Sequence, residues 1–102
     1  MNHIVLFDDH IEKAPLRRQH FDAHLDFLNH HGAHVCAAGP LLDEVDTQLA
    51  VGGLWLTNGL SDEAVRTLVE QDPLFATGLR RSWRIHRWVK VFDEGQPTGI
   101  RP

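Results

Sequence analysis

Leu16 to His31, LRRQHFDAHLDFLNHH, is the stretch whose period sets the architecture of this chain. At about 100° per residue, Leu16, Phe21, Ala23, Leu25, Phe27 and Leu28 sweep out one broad apolar face of a helix. His24 lies near the middle of that face. Arg18, Gln19, Asp22, Asp26 and Asn29 fall on the opposite side, as a solvated helix surface requires. Arg17, His20 and His31 share the apolar arc, with Arg17 two turns before His24. Polar groups in such a place must be paired, used in function, or bent out to water. The helix is expected to begin near Pro15, where a missing N–H costs nothing, and to stop at Gly32.

Before it, His3 to Phe7 (HIVLF) is rich in β-formers and ends at Asp8-Asp9, the pattern of a first strand. After it, Ala33 to Ala38 (AHVCAA) is a second strand closed by a turn at Gly39-Pro40, which carries no phosphate-binding signature. An exposed loop from Leu41 to Ala50, with Asp43, Glu44 and Asp46, leads to a third strand, Val51 to Thr57. Its Gly52 and Gly53 permit a bulge or a close backbone approach. Past the Asn58-Gly59 turn, Ser61 is placed as an N-cap, and Asp62 and Glu63 suit the positive end of a second helix. Ala64, Val65, Leu68 and Val69 form its buried stripe, and one further step of the same period puts Asp72 at the stripe's centre. Pro73 biases Asp72 away from helical dihedrals, so the helix ends there and a short turn, Leu74 to Gly78, follows.

The last strand, Ser82 to Phe92, has large apolar residues on both faces, and Ile4 and Leu6 likewise point opposite to Val5 and Phe7. The order β-α-β-β-α-β predicts an α+β, ferredoxin-like fold: a four-stranded antiparallel sheet with two helices on one face. The apolar outer face then needs a cover, and in so short a chain the simplest cover is a second copy, a homodimer joined through the open face of the sheet. Residues 1–92 form the domain, and the polar, Gly- and Pro-rich segment 93–102 is expected to be an unstructured or arm-like tail.

Composition narrows the function classes. A chain of 102 residues with 42% hydrophobic and 24% charged residues holds one core. Its net charge of -4 argues against a nucleic-acid partner, because such domains present a basic field to phosphates. Arg80, Arg81, Arg84 and Arg87 are the one local basic cluster, placed on the exposed side of the last strand. The single cysteine, Cys36, makes no internal disulfide and is expected as a small core residue in a reducing compartment. Without a leader-like start or an apolar run approaching roughly 18 residues, the expected location is cytoplasmic, with no membrane partner. His20-x-x-x-His24 is a helical pair of possible metal ligands, with Asp72 or His31 as a third, but no third ligand is fixed by spacing. No metal and no cofactor are therefore expected. His3, His10, His30, His34 and His86 are assigned to the surface or to strands, and Trp55, Trp83 and Trp88 to the core or a dimer interface.

The ordered set Arg17 or Arg18, His24-Leu25, Gly32, Gly39-Pro40, Gly52 or Gly53, Asp72-Pro73, Gly78 and Trp88 resembles the YciI-like (YCII-related) family, from His3 to Phe92. The resemblance implies a dimeric α+β barrel and a catalytic histidine and aspartate, which map onto His24 and Asp72. It also points to chloride removal from a chlorinated hydroxyhydroquinone, the activity of one similar protein type, and to the muconolactone isomerases, which share the barrel plan. The additional histidines His20, His30 and His31 depart from the pattern.

Two helices on the same side of one sheet bring His24 and Asp72 to the same layer. Asp72 is expected to accept a hydrogen bond from one imidazole nitrogen, fixing the tautomer and raising basicity, while the other nitrogen faces a small cavity. Such a pair is a general acid–base unit. Arg17 is expected to hold a carboxylate or enolate oxygen, with His20 and Trp88 as further substrate contacts. The function expected is proton transfer, isomerisation or elimination on a small carbonyl or phenolic acid. The alternative is a dimeric module that binds a small acidic ligand through Arg17 without chemistry.

Overall fold

Alternation in the first strand decides where everything else packs. The computed structural model describes residues 2–101, and in it β1 (Asn2–Asp9) turns His3, Val5, Phe7 and Asp9 inward. Ile4 and Leu6 take the other side, where they are only partly buried. β1 is central: it pairs antiparallel with β3 (Ala50–Asn58) and with β4 (Arg80–Trp88), and β2 (Val35–Leu42) completes the sheet order β2-β3-β1-β4. Val5 sits opposite Trp55 and Ile85, and Phe7 opposite Gly53 and Trp83. These inward residues, with Val35, Val65, Leu68 and Val69, make the core between sheet and helices. The topology is the ferredoxin-like α+β plan.

The helical stretch is not one rod. A single 3₁₀ turn at Ile11–Lys13 precedes α1 (Pro15–Gln19), and α2 (Phe21–His30) follows after a break at His20, whose dihedrals are φ -107 and ψ 14. Phe21 and Leu25, expected on the core face, are 50% and 49% exposed. His24 is the buried residue of α2, so the centre of the stripe is filled by an imidazole rather than by a leucine.

α3 (Asp62–Gln71) follows its local signals closely. The Ser61 hydroxyl accepts from the Ala64 amide at 3.1 Å, and Val65, Leu68 and Val69 are buried. Asp72 leaves the helix at ψ 131 and caps a one-turn helix, α4 (Pro73–Ala76), where a short turn from Leu74 to Gly78 was expected.

Four expectations about the strands and their flanks need correction. β2 runs straight through Gly39-Pro40 instead of ending there, with Pro40 opposite Gly53. It is an edge strand, where the N–H that proline lacks has no ladder partner to lose. Cys36 is exposed rather than in the core, because it occupies the irregularity between Val35 and Ala37 at that edge. The last strand begins at Arg80 and ends at Trp88, and the tail beyond it carries a hairpin, β5 (Phe92–Asp93) with β6 (Gln96–Pro97). Its turn residues Glu94 and Gly95 have φ 52 and 76, the pair of positive values that a tight two-residue hairpin demands. Gly52 shows the close approach anticipated for it, since a Cβ there would collide with the Phe7 carbonyl oxygen.

Candidate active site

The stop signal at Pro73 and the stripe centre at His24 converge in space. His24 Nδ1 lies 2.8 Å from Asp72 Oδ1, in a buried contact between residues 48 apart in sequence. The same oxygen accepts from the Leu74 amide at 3.1 Å, and Oδ2 accepts from Arg80 Nη2 at 2.8 Å. The Asp72 side chain is 0% exposed and that of Arg80 4%. Burial by itself would raise the Asp72 carboxyl, but the hydrogen bond from His24, followed by the charge of Arg80, holds it below its ordinary value. Asp72 is therefore a carboxylate and an acceptor. The Nδ1 proton then points at Asp72, which leaves Nε2 as the ring nitrogen not engaged by the carboxylate.

Arg80 is the residue that sequence reasoning missed. It was expected on the exposed side of the last strand with Arg81, Arg84 and Arg87, and unbroken alternation inward through Ile85 and Trp83 would turn Arg81, not Arg80, to the inner face. A register shift between Asp8 and Asp9 puts Arg80 opposite Asp9 instead, so the parity flips. Arg81 is left 66% exposed. The Arg80 guanidinium lies 3.8 Å from the centre of the Phe7 ring and 5.7 Å from that of Trp55. Burial pushes its pKa below the ordinary arginine value, Asp72 opposes that, and Arg17 adds to it.

Arg18 is exposed but also lines the cleft, whereas Arg17 is turned inward. Its Nη2 donates to Asp9 Oδ2 at 2.6 Å and to the Gly52 carbonyl at 3.1 Å. Arg17, His24 and Arg80 all line one cleft of ≈ 950 Å³, walled by apolar groups including Phe21, Leu25, Pro40 and Trp55. The half-exposed Phe21 and Leu25 are thus cavity wall rather than misplaced core. The structure does not bring the other two expected substrate contacts to this place. His20 sits at the break between α1 and α2 and is not among the cleft's lining residues. Trp88 ends β4 at 45% exposure, also outside that lining, with the Lys90 ammonium 5.3 Å from its ring centre. Among the described residues no cluster of three or more His, Cys, Asp or Glu side chains has the geometry to hold a metal ion.

His3, assigned to the surface or to a strand, lies in β1 on the buried side. It is 1% exposed, and its Nε2 lies 2.5 Å from Asp62 Oδ1, while Arg87 donates to both oxygens of Asp62 at 3.3 Å. Arg87 first, then His3, holds the Asp62 carboxyl below its ordinary value. Inward alternation of His3, Val5 and Phe7 was the signal available for it.

The direction at Asp72 carries a stability consequence. Its folded value lies below the unfolded value of 3.8, so the pairing contributes fully above about that pH and is lost as pH falls through the lower folded value. Urea midpoints of the wild type should therefore drop more steeply below pH 4 than those of Asp72→Asn. Parallel curves for the two proteins would refute this.

The amino-acid sequence over residues 1–89 matches the YCII-related domain. The chain belongs to the YCII-related family. Among solved structures, this YCII-related chain is similar to the 5-chloro-2-hydroxyhydroquinone dehydrochlorinase of Burkholderia phenoliruptrix in complex with 2,5-dihydroxybenzoquinone. The TM-score is 0.76 and the identity 25%, over 87% of this chain and 94% of that one. An Arabidopsis thaliana protein aligns over 99% of this chain and 98% of its own at 15% identity and a TM-score of 0.48. No curated protein matches the sequence. Among the described residues no helix of this YCII-related protein is long and apolar enough to cross a membrane.

Proposed function

We propose that the cleft beside His24 is the reaction site of a small-molecule enzyme, lyase or isomerase in type, acting on a small carbonyl or phenolic acid. The observation that carries this is the buried His24–Asp72 hydrogen bond, whose imidazole also lines an apolar cleft. His24 Nε2 takes a proton from carbon next to a carbonyl. The C–H pair moves into the C–C bond and the carbonyl pair moves onto oxygen. In isomerisation the proton returns to a different carbon. In elimination the electron pair expels a leaving group such as chloride, and His24 later releases its proton to solvent. Asp72 holds the ring and compensates the imidazolium charge. The structural likeness to a dehydrochlorinase supports this class, and family membership supports the assignment of a small-molecule ligand.

The test is direct. The purified protein is incubated in D₂O with chlorinated and unchlorinated hydroxyhydroquinones and small keto acids, and deuterium incorporation and chloride release are followed beside His24→Gln. Incorporation or release that depends on His24 supports the proposal; activity equal in the two proteins, or none on any member of the panel, overturns it.

We further propose a homodimer through the outer face of the sheet, in the cytoplasm. Ile4, Leu6, Leu54 and Leu56 stand there only partly buried, and β1 and β3 pair them into one apolar strip. Sedimentation at micromolar concentration should give twice the 11.6 kDa chain mass. Leu6→Glu together with Leu56→Glu should give a folded monomer; a wild-type protein that sediments as a monomer refutes the assignment.

A further inference from the structure

Arg80 is more than a tether for Asp72. Its side chain is 4% exposed and lines the cleft, yet among the described residues its buried Nε and Nη1 have no hydrogen-bond partner, and neither has Arg17 Nε. Arg80 spends one nitrogen, Nη2, on Asp72 Oδ2, while His24 spends Nδ1 on Asp72 Oδ1. The two side chains are therefore held a carboxylate's width apart on the wall of one cleft. A guanidinium presents its donors as a planar fork that matches a planar oxyanion, and this fork has unused donors in a low-dielectric place. Arg17 is more fully committed, with Nη2 shared between Asp9 and the Gly52 carbonyl. Asp9 and Asp72 pair with the two inward arginines, and the same lining also carries Arg18 and Asp22.

We infer that Arg80 is the residue that holds the ligand's oxyanion, and that the ligand is a small organic anion with a flat, largely apolar body. This rests on the cleft being the reaction site proposed above, and names the group that would hold the enolate oxygen while His24 carries the proton. A donor that meets negative charge as it develops favours the transition state over the ground state. The apolar wall supplied by Trp55, Pro40, Phe21 and Leu25 suits a hydrocarbon ring and not a bare phosphate.

Binding alone tests the inference, whether or not turnover is ever detected. Benzoate and benzamide have the same shape and differ in charge, and calorimetric titration of the full chain with each gives their ratio of affinities. Benzoate should bind more tightly by roughly 10- to 100-fold, the range for a charge-assisted hydrogen bond. That preference should vanish in Arg80→Met and survive in His24→Gln. Because Arg80→Met leaves a buried carboxylate uncompensated, the double variant Asp72→Asn with Arg80→Met is the folded control and should also show no preference. Inorganic phosphate should bind neither protein. Equal affinity for the two probes, no binding of benzoate, a preference retained in the double variant, or phosphate bound as well as benzoate each overturns the inference. Loss of His24-dependent chemistry with the benzoate preference intact would sink only the proposed reaction.

Discussion

Turnover by His24→Ala should fall by ~10²–10⁴-fold, the contribution typical of a positioned general acid–base group. Asp72→Asn should lose nearly as much. An asparagine still offers Nδ1 an acceptor oxygen, but its amide donors then face Arg80 Nη2, which stands 2.8 Å from Asp72 Oδ2 in the wild type. The carboxamide also carries no charge to balance the imidazolium. Residues that act as a unit are strongly non-additive, so the double variant should be little worse than either single one. Measured kcat/KM for the four proteins decides this. A double variant whose loss equals the product of the single losses would mean that the two residues contribute separately, and the acid–base pair would be abandoned.

Arg80→Met should destabilise the fold by about 3–5 kcal/mol, because removing one partner strands a buried charge. Asp72 has no exposed surface from which water could take over the role of the guanidinium. The methionine keeps much of the packing against Phe7 and Trp55, so the loss reports charge more than volume. Adding Asp72→Asn should recover most of the stability, since a neutral amide requires no counter-ion there. For a domain with ~5–15 kcal/mol in total, the single variant is expected to be marginally stable. Urea unfolding gives the comparison. A loss under about 1 kcal/mol, the value of an exposed pair, would show that water reaches Asp72.

Much of the site was legible in the chain because its signals are local. The stripe of α2 places His24 among apolar neighbours, and α3 runs from its Ser61 cap to the point where Pro73 forbids another helical turn, leaving Asp72 on the same inner layer. Their meeting at 2.8 Å follows once both helices lie on one sheet face. His20 and Trp88 were misplaced for opposite reasons. A helical wheel assumes an unbroken helix, and the break at His20 turns the residue away from the cleft. Trp88 was assigned from the family pattern at the end of the last strand, which says nothing of how far along the strand the cleft extends.

The amino-acid sequence by itself determined the order of elements, the two polar residues at the centres of two apolar stripes, and the stop at Asp72-Pro73. Hydrophobic period, capping and the dihedral limits of proline act over a few residues and need no knowledge of the partner surface. Tertiary structure alone decided that Arg80 rather than Arg81 enters the site, that β2 carries Pro40 along an edge, and that Phe21 and Leu25 wall a cleft instead of filling a core. Each depends on pairing across strands or on empty space between layers. A one-residue register shift reverses which side chains point inward, and nothing in the shifted strand's own sequence records it.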